Sequence, residues 1–140
     1  MSSWIFFALG SAFFAGITAV LSKIGVEGVP SNLATLIRIV VIFPFVVFLV
    51  WSMGDWRAPS TIPARTMLFL ALSGVATGLS WLCYYHALQL GPASLVSPID
   101  KLSLLVAVIL AVTMLGERLN TRQWAGAALM VVSTLLIAWK

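Results

Sequence analysis

The chain has 140 residues, 61% of them hydrophobic and 9% charged, with a formal net charge of +4. Soluble domains carry roughly 25% charged residues, so this chain cannot clothe a water-facing surface; its mean hydropathy of +1.10 assigns it to an all-α integral membrane class. The basic residues sit at segment ends, which argues for anionic lipid headgroups and against nucleic acid as the partner. The single cysteine, Cys83, excludes an intramolecular disulfide and supplies no metal cluster.

In chain order, the first apolar segment covers 4–24. No basic stretch precedes it, and it exceeds the roughly 7–15 apolar residues of a signal peptide, so it reads as a transmembrane helix. Ala12 and Gly16 have the spacing that lets helices approach closely. Lys23 stands near its end and Glu27 in the loop beyond. The second segment, 33–53, is expected to be capped by Ser31 or Asn32. It holds Arg38 one to two turns inside and Pro44 near its middle, where a kink is expected. A polar loop with Asp55, Arg57, Pro59, Pro63 and Arg65 follows, flanked by Trp51 and Trp56 as interfacial anchors.

The third segment, 66–90, carries the Gly74–Gly78 pair and then Trp81, Tyr84, Tyr85 and His86. Gly91-Pro92 ends it with a turn, so segments three and four are expected to be antiparallel neighbours. The fourth segment, 93–115, has Pro98 early and Asp100-Lys101 about two turns inside, ~10 Å below the surface at ~1.5 Å rise per residue. The charged loop 116–122 leads to the fifth segment, 123–139, with its small Ala125-Gly-Ala-Ala128 face, and Lys140 follows. The expected architecture is a five-transmembrane-helix bundle, one domain over 1–140.

An odd number of spans puts the two ends of the chain on opposite sides. Loops on the N-terminal side carry Arg57, Arg65, Arg118 and Arg122; the other side offers Lys23 and Lys140. The positive-inside rule then favours a cytoplasmic N-terminus in the plasma (inner) membrane. Lys23, Arg38, Tyr84, Tyr85, His86, Asp100 and Lys101 all fall in the half of the bilayer away from that side. Ionisable groups at such depth are costly and face one another or water. Asp100 is the acid buried within a helix, and Arg38 or Lys23, from another helix, is its expected partner, because Lys101 points ~100° away around the helix. Positive groups exceed negative ones in this layer, so an anionic or zwitterionic substrate, or a proton on Asp100, would restore balance. The plainer readings are that Lys23 and Glu27 snorkel, that Arg38 is a structural ion-pair partner, and that His86 is interfacial.

Ala87-Leu-Gln-Leu-Gly-Pro-Ala-Ser-Leu-Val-Ser-Pro98, then Leu115-Gly-Glu-Arg-Leu119, then Trp124-Ala-Gly-Ala-Ala-Leu-Met130 resemble the EamA domain of the drug/metabolite transporter superfamily, single-domain five-helix type. The resemblance implies a secondary transporter of small metabolites or drugs, usually an exporter, working by alternating access. It also implies a homodimer, plausibly antiparallel, that rebuilds an inverted repeat; in a ~30 Å core the two polar layers would then lie ~10 Å apart. A dual-topology protein should have nearly balanced arginines, which this chain does not, so dual topology stands beside a parallel dimer or a partner protein of opposite orientation as an open arrangement. Asp100, Lys101, Arg38 and Lys23 are the expected substrate or coupling residues, and Trp81, Tyr84, Tyr85, His86 and Ser97 the candidate cavity walls. Asp100 is not part of the family pattern, so its assignment rests on the physics of burial. No enzyme activity, cofactor or metal is expected. The rival readings are an accessory or assembly subunit, or a component of a lipid-linked-sugar flippase.

Overall fold

The computed structural model describes residues 3–139; Lys140, counted above among the charges of one membrane side, lies outside the described residues. The described chain is all-helical: α1 Ser3–Gly25, α2 Ser31–Met53, α3 Ala64–Leu90, α4 Ala93–Asp100, α5 Ser103–Met114 and α6 Thr121–Ala138, with a 3-10 turn at Pro59–Thr61. Helices α4 and α5 together make one apolar stretch, Ala93–Met114, so five spans are long and apolar enough to cross a membrane. The chain is therefore a multi-pass membrane protein. In each span's most apolar window at most 6% of the residues are buried. That is no anomaly in lipid, where an exposed leucine meets a solvent as apolar as itself.

Three local expectations are corrected. Neither Ser31 nor Asn32 caps α2: the N-cap is Pro30, no side chain caps the end, and Ser31 is already helical. Instead Thr35 Oγ1 donates to the Ser31 carbonyl at 2.9 Å. Second, α6 starts two residues before the expected 123. Asn120 Oδ1 accepts from Gln123 N at 2.9 Å while Gln123 Oε1 accepts from Asn120 N at 2.7 Å. This reciprocal capping box is legible in Asn120-Thr-Arg-Gln123. Third, segment four is not one helix. It breaks at Lys101-Leu102, both helical in sign but with ψ of −10° and −19°, values of a 3-10 turn. Helix α2, by contrast, runs through Pro44 without interruption.

The turns use glycine where the backbone demands it. Gly54, φ 71°, closes α2 and donates to Trp51 O, and Gly116, φ 69°, follows α5. A left-handed residue after the last helical turn satisfies carbonyls that have no partner inside the helix.

The chain divides into two compact units. The middle unit is Leu21–Leu90; the flanking unit comprises the residues up to Val20 and those from Gly91 onward. In the middle unit α2 packs against α3; in the flanking unit α6 packs against α4 and, over a shorter stretch, against α5.

Candidate functional site

The middle unit is built around two helical stripes. On α2, Ser31, Ala34, Thr35 and Arg38 recur at i, i+3, i+4 and i+7, the spacing of one helix face. On α3, Trp81, Tyr85 and Leu88 do the same at i, i+4 and i+7. Ala34, Thr35, Tyr85 and Leu88 are buried, as are Ser22 and Val26, at and just beyond the end of α1. This is where most of the buried side chains among the described residues gather.

Polar groups tie the three helix ends together. Lys23 Nζ donates to the Leu88 carbonyl at 2.7 Å. That carbonyl lies in the last turn of α3, and its helical donor would be the N–H of residue 92, which is a proline. A cation at a helix C-terminus is also favoured by the helix dipole. Gln89 Nε2 donates to the Val29 carbonyl at 2.6 Å, in the turn before α2. Ser22 Oγ and the Tyr85 hydroxyl share a buried hydrogen bond of 3.1 Å. Arg38 contributes a different contact: its Cζ lies 4.2 Å from the centre of the Trp81 ring and 5.9 Å from that of Tyr85. Among the described residues Arg38 makes no ion pair or side-chain hydrogen bond. Tyr84 is half-buried and meets the Tyr85 ring edge-on at 6.4 Å; His86, one step off the stripe, is exposed.

The flanking unit holds the break in the fourth span. Pro98 has no N–H, so the Ser94 carbonyl loses its helical donor. Three residues later the ladder tightens. Lys101 N is shared between the Ser97 and Pro98 carbonyls, at 3.3 and 3.1 Å. Leu102, Leu104 and Leu105 then bond three residues back rather than four. Asp100 is the last residue of α4, and Lys101 its C-cap. Asp100 Oδ2 pairs with Lys101 Nζ at 3.4 Å, side-chain exposures 34% and 50%.

The expected partner of Asp100 was Arg38 or Lys23. The pairing with Lys101 has a local cause: where the α-helical register ends, two adjacent side chains can converge. Thr134, buried on α6, donates to the Met130 carbonyl at 2.9 Å and comes within 3.5 Å of the Pro98 carbonyl. Ser97 is half-buried on α4. Beside the break, Lys101, Leu105, Val108, Ala127 and Met130 line an apolar cavity of about 30 Å³, room for roughly one water molecule.

The sequence profile of the EamA-like transporter family matches residues 2–139. The chain belongs to that family. It is 52% identical over 136 residues to an uncharacterized transporter of a Sinorhizobium species, encoded in a cobO 3' region, covering 97% of this chain and 96% of that protein. It is 27% identical to the protein RarD of Salmonella typhi over 143 residues, 96% of this chain but 46% of RarD, so it spans less than half of that relative. It is 30% identical over 85 residues, 60% of this chain and 75% of the relative, to a probable 4-amino-4-deoxy-L-arabinose-phosphoundecaprenol flippase subunit, ArnE, of Yersinia pseudotuberculosis. No solved structure matches the chain significantly. Membership makes this EamA-like chain a membrane transporter.

Proposed function

We propose that this chain is a secondary transporter that exports small metabolites or drugs by alternating access, as a dimer of five-helix repeats in the inner membrane with its N-terminus cytoplasmic. The observation that carries the reading is the fourth span, broken at Asp100–Leu102 with a carboxylate at the break. Broken membrane helices place backbone ends and charged groups at depth, where transporters bind solutes and coupling ions. A stretch of 3-10 geometry within a helix is also a natural hinge. Asp100 is the coupling or substrate-binding carboxylate, and Lys101 pairs with it until a proton or a substrate cation takes its place. Arg38 and Lys23 contact anionic groups, while Trp81, Tyr84, Tyr85, His86 and Ser97 line the path. The dimer reading is supported by the match to 46% of RarD: two such repeats would account for most of that longer chain.

The test is transport by protein reconstituted alone in sealed vesicles, loaded with a metabolite mixture and driven by a proton gradient. Gradient-dependent efflux is expected from the native chain, and none from Asp100→Asn inserted in equal amount. Full efflux by Asp100→Asn removes the carboxylate from the mechanism. A second reading, a component of a lipid-linked-sugar flippase, is favoured by the ArnE match alone. It predicts silence in the metabolite assay and movement of a lipid-linked sugar across the same vesicles once a second subunit is added.

A further inference from the structure

We infer that Arg38, held against Trp81, is a binding site for an oxyanion, and that the substrate of this transporter carries a carboxylate or phosphate group which docks there. The substrate half of this statement rests on the transporter reading above.

Arg38 is the eighth residue of α2, ~10 Å along the helix from its start, within an apolar span. A guanidinium has five N–H donors and cannot be deprotonated. Its recorded partners are the rings of Trp81 and Tyr85. Aromatic faces attract the positive charge but provide no oxygen for those donors. Among the described residues no carboxylate pairs with it. The acids of the middle unit, Glu27 and Asp55, are exposed in loops after α1 and α2.

A second positive charge is close by. Lys23 Nζ sits on the Leu88 carbonyl, one turn along α3 from Tyr85, whose hydroxyl meets Ser22 next to Lys23. A cation left with unfilled donors at membrane depth is costly, and Arg38 is such a cation. The missing group is an anion with two oxygens able to accept parallel N–H bonds, the geometry for which arginine is suited. The aromatic contacts hold the guanidinium in place, so little side-chain freedom is lost when the anion binds.

The chemistry admits a free carboxylate, a free phosphate or a lipid headgroup, and one experiment separates them. The purified protein is placed in phosphatidylcholine nanodiscs, and its unfolding temperature is followed during titration with inorganic phosphate or with succinate, against chloride at matched ionic strength. A third arm replaces part of the lipid by phosphatidylglycerol. A saturable rise in one arm is expected, and the arm identifies the source. Arg38→Gln should weaken the apparent affinity about 10- to 100-fold, as for loss of one or two charge-assisted bonds. Arg38→Lys, which keeps the charge and protects the fold, should fall between that variant and the native chain.

No rise above chloride in any arm, or native affinity in both variants, overturns the site. Efflux that neither responds to Arg38→Lys nor is inhibited by phosphate or succinate also overturns it, and leaves the transporter reading standing. Arg38-dependent binding in a protein that moves no solute confirms the oxyanion site and removes the transporter reading instead.

Discussion

In the middle unit the polar groups turn inward and the buried residues collect around them; in the flanking unit a proline-broken helix leaves its two charges half in the open. Ser22, Lys23, Gln89 and Tyr85 each bridge elements far apart in sequence. Among the described residues Asp100 and Lys101 form their ion pair with each other, one residue apart. Lipid gives no reward for burying apolar side chains, so in such a protein polar contacts and close packing decide where a rigid core forms. The middle unit holds most of the described buried side chains, whereas the ion pair of the flanking unit is local and partly exposed.

The sharpest way to break this contrast is to remove packing from each side. Leu88 is 0% exposed, and Leu88→Ala is expected to destabilise the protein by about 2–4 kcal/mol. Leu105→Ala, at a half-buried position of α5, should cost about 1 kcal/mol or less. Unfolding titrations of both variants in mild detergent would decide; equal losses would abolish the distinction between the two units.

The buried Ser22–Tyr85 bond comes next. Ser22→Ala should cost about 1–2 kcal/mol, and combining it with Tyr85→Phe should cost clearly less than the sum of the two. Strict additivity in the same titrations would mean that the bond does not hold the helix ends together.

Pro98→Ala tests the broken span directly. It restores a donor for the Ser94 carbonyl and should join α4 to α5, slowing amide exchange over 100–105 about tenfold, which corresponds to ~1.4 kcal/mol. Efflux should slow with it; unchanged exchange would show that the break is not set by the proline. The smallest effect is expected for Thr134→Val, roughly 0.5–1 kcal/mol, since its principal bond, to Met130, lies within its own helix. A loss as large as that of Leu88→Ala would make the 3.5 Å approach to Pro98 a principal contact.

Much of the architecture was legible before any coordinates. Five apolar runs of sufficient length specify five spans, and observed ends fall within one or two residues of those read from hydropathy. The stripes Ser31/Ala34/Thr35/Arg38 and Trp81/Tyr85/Leu88 were present in the spacing, as was the Asn120–Gln123 capping box, although neither entered the sequence reading. Pro98 was visible early in the fourth segment, but the break that follows it at Lys101-Leu102 did not enter the sequence reading. Such features are local: each depends on residues within two helical turns, so composition and spacing determine them.

The tertiary structure alone decided which groups meet. That Lys23 reaches the Leu88 carbonyl 65 residues away, and Ser22 the Tyr85 hydroxyl 63 residues away, follows from how helices pack. So does the placement of Arg38 on Trp81 rather than beside a carboxylate. In the sequence Arg38 had several possible partners of similar merit: an acid, an aromatic face or a ligand. Which of these contacts Arg38 makes is fixed by the helix crossing that brings the two stripes together, information that no local pattern of residues contains.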